Sequence, residues 1–269
     1  MDISQEERLV FLIKEFQKDV DICKNIPLPA DTEGKRRLLR SLMNLRLPME
    51  TPDSVLRIQD DYLSERLRER GTVELSDIPE IKDGLSVWQG DITTLAAEAI
   101  VNAANSQMLG CFVPMHGCID NCIHSFAGVQ LLAECHRQMN LLKKSFGAAY
   151  EQPTAKPMLT GAYNLPAKKV IHIVGPIIRG GLTSEAEREL ADCYSNTLKL
   201  CSDNGIKEAA FCCISTGVFR FPNARAAEIA VRTVTEWMYE HKGIVKRVVF
   251  NVFKDEDKDV YERLLQRIA

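Results

Sequence analysis

No run in this 269-residue chain is long and apolar enough to span a bilayer. The first residues, MDISQEERLV, lack the charged-then-apolar order of a secretory signal. No membrane partner is therefore expected, and the expected location is cytoplasmic and reducing. An excess of basic charge is also missing. Lys and Arg number 34 against 37 Asp and Glu, and the net charge of -3 is spread over alternating signs. No basic face for nucleic acid is expected. Repeats and low-complexity segments are absent, so neither a solenoid nor a long disordered linker is expected. Paired CxxC units are absent too. The nine cysteines are an odd number in a chain expected in a reducing compartment. They read as buried thiols or metal ligands rather than as a disulfide framework.

What is present is an ordinary globular composition, 45% hydrophobic and 26% charged. The length fits one large domain, or one domain with an extension, and suffices for a full core. Residues 1–71 read as helical. Ser4 and Glu7 form a capping box before Leu9, Val10, Leu12, Ile13 and Phe16. A second helix is expected from Thr32 to before Pro48, and a third from Pro52 to Gly71. Such short helices bury little alone. They are expected to pack as an appendage, either capping the main domain for stability or walling a substrate cleft. Residues 72–84 read as a linker. Beyond it, strands are expected at Leu85 and Val87, at 99–101, 170–174, 208–214 and 245–253. Helices are expected at 184–204 (capped by Ser184), 223–241 and 258–268, with a less regular stretch at 143–160. Strands alternating with helices predict an α/β sheet covered on both faces.

Residues 88–128 concentrate the polar chemistry. The apolar run Ala99, Ile100, Val101 predicts a strand, and Ile119, Ile123, Phe126 and Ala127 repeat at helical spacing, with Asp120 in the first turn. Between them lie Asn102, Asn105 and a loop carrying Cys111, His116 and Cys118. Loops between strand ends and helix starts are where open α/β sheets place ligands. The C-x4-H-x-C spacing matches no common paired zinc motif, so spacing alone leaves metal binding open.

GDIT (Gly90 to Thr93), AIVNAANS (Ala99 to Ser106), GCIDNCIHSFAG (Gly117 to Gly128), VIHIVGP (Val170 to Pro176) and ISTGVFRFP (Ile214 to Pro222) follow one another in order. Together they resemble the macrodomain, the ADP-ribose-binding fold, over about residues 75–269. The resemblance implies a three-layer αβα macrodomain with a mixed sheet over 72–269, preceded by a helical N-terminal extension at 1–71. Macrodomains carry a glycine run before the second helix, where this chain reads GCFVPMHGC. Cysteine and histidine in its place resemble the zinc-containing subgroup, protein-ADP-ribose hydrolases of bacteria and some fungi.

The resemblance assigns roles residue by residue. Asp91 accepts a hydrogen bond from the adenine amino group and the Ile92 amide meets the purine; Asp91 also suits an N-cap, and both roles can coexist. Ser215, Thr216, Gly217, Val218 and Phe219 offer backbone N–H groups to the pyrophosphate, with Gly217 permitting the tight turn. Phe219 or Phe221 packs on ribose unless it belongs to the core. Asn105 meets the distal ribose, while Asn102 ties the loop backbone. Asp120 and the adjoining Cys118 and Ile119 lie near that ribose, with Asp120 orienting a water or hydroxyl; without the resemblance it reads as a first-turn charge. Cys111, His116 and Cys118 hold Zn²⁺ with one coordination position open. Cys122 or His124 offers a fourth ligand in principle, but His124, like His172, reads as a packed residue.

The implied activity is removal of mono-ADP-ribose from a modified protein. Asn105, Asp120 and Cys118 are its candidate catalytic residues. The implied linkage joins the anomeric carbon of the distal ribose to an acidic side chain, with oxocarbenium-like charge on cleavage and zinc as template and Lewis acid. Some members of the subgroup are encoded beside a sirtuin-type transferase and lipoate-linked proteins, which makes a lipoyl-carrier protein the implied partner. Two rivals use the same pocket: a non-catalytic reader of ADP-ribosylated partners, and hydrolysis of O-acetyl-ADP-ribose.

Overall fold

The computed structural model describes residues 3–267 of the chain. Three helices come first: α1 (Gln5–Asp19), α2 (Thr32–Leu45) and α3 (Asp53–Arg70). The Ser4–Glu7 capping box starts α1 as expected. Asp31 caps α2 by accepting from the Gly34 amide, and Gly71 ends α3. These helices do more than lie on a neighbour. Leu9, Leu12, Ile13, Phe16, Leu39 and Leu42 close a core of their own, which also buries Cys23 and takes in Val129 from the main domain. Three amphipathic stripes facing one axis bury what each alone would expose.

The expected linker is partly structured: β1 (Val73–Glu74) pairs with β3 (Leu95–Ala96). TTLAAEA, helix-like in sequence, forms instead a 3-10 turn at Ile92–Thr94 leading into β3. The main sheet contains β2 (Leu85–Gln89), β4 (Ala99–Ala104), β5 (Met158–Gly161), β6 (Lys169–Val174), β7 (Glu208–Phe211) and β8 (Arg247–Val252) in the order β2-β8-β7-β4-β6-β5. All neighbours are parallel except β5, which is antiparallel to β6. The sheet is therefore mixed, as expected.

Handedness fixes the layers. The crossover from β4 to β6 runs one way along the sheet, through α4 (Ile119–Ala127) and α5 (Val129–Phe146). Those from β6 to β7 and from β7 to β8 run the other way, through α6 (Ser184–Asp203) and α7 (Asn223–Glu240). Right-handed crossovers in opposite directions put their helices on opposite faces. The last helix, α8 (Asp255–Arg267), packs beside α7. Strands covered on both faces are buried nearly throughout, as β6 and β8 are. Among the described residues no helix is long and apolar enough to cross a membrane.

Several boundaries differ from the sequence reading, each for a local reason. The strand expected to reach Ile214 stops at Phe211, because the chain leaves β4 to form a turn. The strand expected over 245–253 covers Arg247–Val252, and Phe253 is 80% exposed. Thr183 rather than Ser184 caps α6, its hydroxyl accepting from the Ala186 amide at 3.1 Å. The stretch 143–160 is less irregular than expected, since α5 continues to Phe146 and β5 begins at Met158. The final helix starts at Asp255; Ile268, its expected end, lies outside the described residues. The helix after the cysteine loop breaks at Gly128 (φ 95°), where a Cβ would lie 2.6 Å from Gln59 Nε2 of α3.

Candidate active site

Two adjacent parallel strands, β7 and β4, deliver the two halves of the site at their C-terminal ends. After β7 the chain turns sharply through residues 213–221. Ser215 and Arg220 take positive φ (64° and 60°), so the tight geometry rests on them and not on Gly217 as the sequence suggested. The turn is pinned by the Arg220 amide donating to Gly217 O and the Phe221 amide to Ser215 O, both at 3.0 Å. The amide of Ile178 holds Phe219 O at 2.9 Å. Among the described residues, the amides of Gly217, Val218 and Phe219 donate to no protein acceptor. Gly217 has open space where a side chain would project. Successive free amides on a turn form an anion-binding concavity. Phe221 is buried in the core, and Phe219 is half-buried and packs against that core.

Asp91 both caps and pairs. Its Oδ1 accepts from the Thr93 amide (2.9 Å) and hydroxyl (2.7 Å), and its Oδ2 accepts from Arg70 Nη1 at 3.1 Å. Arg70 ends α3, and its Cζ lies over the Phe126 ring, 3.7 Å from the centroid. The Asp91 side chain remains 43% exposed, so the cap leaves it accessible. Ile92 is buried and offers only its backbone.

After β4 the architecture changes from backbone to side chains. Asn102 stands within β4, opposite His172, instead of after the strand. It does not tie the loop. Its amide donates to Asp120 Oδ1 at 2.7 Å and to His172 Nδ1 at 3.0 Å. With Nδ1 accepting, the His172 proton lies on Nε2, 3.0 Å from the Thr160 hydroxyl. Burial holds this histidine far below its ordinary pKa and so neutral. The loop-tying role falls to Asn105, whose amide donates to Gly110 O at 2.9 Å and lies 3.4 Å from Asp120 Oδ2. Asp120 is not an exposed first-turn charge: it is 4% exposed. Burial pushes its pKa up, against the opposing pull of His124 and Asn102. Its Oδ1 is held, and its Oδ2 faces Asn105. Ile119 packs at the edge of the core.

The ligand atoms of Cys111, His116 and Cys118 all lie within 4.8 Å of one another. Neither Cys122 nor His124 joins them; Cys122 accepts from Arg40, and His124 packs against Gly110. Two sulfurs and one imidazole are a borderline-soft donor set that suits zinc. Burial, then the neighbouring Cys111, pushes the Cys118 thiol up to about 12, against the pull of the Asn121 amide. Ligation requires this thiol to lose its proton, which a bound cation would favour. A second cluster, His124, Cys135 and His172, is as tight, but both ring nitrogens of His172 already have partners.

Sequence reasoning missed the residues that hold this loop. Asn121, fully buried, donates to Cys111 O (3.1 Å) and Val113 O (3.0 Å), and its amide faces Cys118 Sγ at 3.4 Å. Arg40 and Asn44 reach it from α2. A polar residue on the inward face of a helix was the signal available for Asn121. No signal linked Arg40, some eighty residues away, to the same loop.

The arrangement is that of a known fold. A family model described as the Macro domain matches residues 101–230. The Trypanosoma brucei macrodomain in complex with ADP-ribose superposes with a TM-score of 0.63 at 28% identity, covering 83% of this chain and 94% of that one. This chain belongs to the macrodomain family. Within the family, its full-length likeness is to hydrolases. The protein-ADP-ribose hydrolase of Treponema medium is 46% identical over 98% of this chain and 100% of its own length. That of Staphylococcus aureus is 43% identical over 99% and 98%.

Proposed function

We propose that the chain is a zinc-dependent protein-ADP-ribose hydrolase that removes mono-ADP-ribose from a modified acidic side chain. The observation that carries the reading is the meeting of Cys111, His116 and Cys118 beside the Asn105–Asp120 pair at the mouth of β4. A reader would need the adenosine and pyrophosphate contacts but no such cluster. Full-length likeness to enzymes named protein-ADP-ribose hydrolases supports the same choice.

In this reading Asp91 and the Ile92 amide take the adenine, and the Ser215–Phe219 turn cradles the pyrophosphate with the free amides of Gly217, Val218 and Phe219. Asn105 exchanges its long contact to Asp120 for a hydroxyl of the distal ribose. Asp120, with one oxygen fixed by Asn102, turns the other toward a water at the anomeric carbon. Burial makes that carboxylate a stronger base when ionised. Cys118 and Ile119 close the ribose side. Cys111, His116 and Cys118 would hold a zinc ion, which would supply Lewis acidity and a template for the ribose.

Residues 1–71 form the helical extension and 72–269 the macrodomain. The nine free thiols suit a reducing, cytoplasmic setting. A lipoyl-carrier protein is the proposed modified partner. Incubating the purified protein with mono-ADP-ribosylated proteins of defined linkage tests the activity: release from acidic side chains alone is expected, and no release from any linkage overturns it. Metal analysis should find about one zinc per chain, as for a mononuclear site. Full hydrolysis by protein shown to be metal-free would leave zinc as a loop staple.

A further inference from the structure

We propose that Arg40 of α2, with Asn44 one turn on, is a positioning residue for the metal-ligand loop, so that the N-terminal helices set the geometry of the three donors. The inference rests on the reading of Cys111, His116 and Cys118 as a metal-holding set. Arg40 Nη2 donates to His116 O at 3.0 Å and to Asn121 Oδ1 at 2.8 Å, and lies 3.5 Å from Cys122 Sγ. Asn44, 6% exposed, accepts from the Met115 amide at 3.1 Å and donates to Ser125 Oγ at 2.9 Å. Ser125 returns a bond to Asn121 O at 2.7 Å.

The bonds form one connected frame. Asn121 fixes the carbonyl of Cys111 and faces the sulfur of Cys118. Arg40 fixes the carbonyl of His116 and also the Asn121 amide, thereby choosing which end of Asn121 points at the loop. Each donor residue is thus held directly by Arg40 or Asn121. The loop from Leu109 to Gly117 contains no helix or strand of its own, and Met115 within it takes a positive φ of 56°. Three donors on an irregular loop gain their spacing from whatever braces it. Groups that orient metal ligands commonly alter metal affinity roughly 10–100-fold when removed. Here the orienting group comes from outside the domain that carries the ligands.

The test compares wild type, Arg40→Ala and Arg36→Ala in the full chain. Arg36 is on the same helix and pairs with Glu69 of α3, with no hydrogen bond to the loop among the described residues. Arg40→Ala is expected to surrender zinc to a chelator roughly 10–100-fold faster and to shift the d–d bands of the cobalt-substituted protein. Amide exchange should rise over residues 113–118. Zinc loss unchanged from wild type, or equal loss in Arg36→Ala, overturns the proposal. If wild type retains no more zinc than a Cys111→Ala, Cys118→Ala double variant, the metal reading itself fails. Amide exchange then judges the brace alone: a rise confined to 113–118 in Arg40→Ala supports it, and unchanged exchange overturns it.

Discussion

The turn after β7 and the loop after β4 leave neighbouring strands at the same edge of the sheet, yet they are built from different materials. The first is backbone: free amides on a turn held by its own carbonyls, with almost no ionisable side chain. The second is side chain: two cysteines, a histidine, a buried aspartate and two asparagines, braced by a helix from another part of the chain. A backbone cradle offers fixed dipoles and is insensitive to protonation, which suits holding a ligand. Ionisable side chains in a buried setting are what proton transfer and metal binding require. The contrast teaches that binding and turnover should separate under mutation.

The sharpest break is at Asp120. Asp120→Ala is expected to lower the rate of de-ADP-ribosylation by roughly 10²–10⁴-fold, the range for a general base. ADP-ribose affinity measured by calorimetry should change little. Equal loss of binding and turnover would erase the contrast. Next comes Asp91→Ala, expected to weaken ADP-ribose binding by roughly 1.5–3 kcal/mol, as for hydrogen bonds to a charged group. Turnover at saturating substrate should persist. Unchanged affinity would remove Asp91 from the adenine end.

The cradle itself is tested at Gly175. A Cβ there would lie 2.1 Å from Ser215 Oγ and 2.7 Å from Ile214 Cγ2. Gly175→Ala should therefore displace the turn, with an overpacking cost of about 1–3 kcal/mol and weaker ADP-ribose binding. Gly217→Ala, facing open space, should leave folding stability unchanged. Thermal unfolding of the two variants side by side decides the matter; equal stability would mean the turn is not set by this contact.

The smallest effect is on pH. His172 is buried neutral, so the folded chain binds fewer protons at this site than the unfolded chain below the ordinary histidine pKa of about 6.5. Its contribution is complete above that value and falls as the pH drops through it. Denaturant titrations should show about 1 kcal/mol less stability at pH 5.5 than at pH 7 from this group, a part of the pH dependence lost in His172→Asn, while the part due to the neighbouring His124, whose pKa burial also lowers, stays. An unchanged pH dependence in the variant would assign it elsewhere.

Much of the fold was legible because its signals are local. Ser4 with Glu7, the proline breaks near 48 and 52, and the buried runs at 99–101 and 170–174 each occur where expected. Boundaries failed where tertiary pairing ended a strand early, as at Phe211, or where a competing residue one step away supplied the cap, as Thr183 did. At the site, the donors themselves were legible, since Cys111, His116 and Cys118 stand within eight residues. Their supports were not. That Asn102 meets Asp120 and His172, while Asn105 ties the loop, depends on the register of β4 against β6, which no short pattern encodes. Arg40, Gln59 and Arg70 look like solvent-facing positions on charged helices, and only the packing of the N-terminal helices on α4 and α5 turns them inward.

The separate core of the first three helices bears on the order of events during synthesis. Domains tend to fold as units from the N-terminus as the chain emerges. Leu12, Phe16, Leu39 and Leu42 are all present once α3 is made, while Asn121 and Val129 follow only later and the turn at Ser215 later still. By that rule a nascent chain would display Arg40 and Asn44 before the loop they hold exists. The cysteine loop would emerge onto a template, and the turn after β7 would complete the cleft only after β7 inserts beside β4. On this account a stalled chain ending before β7 has its ligand loop in place and no cradle beside it.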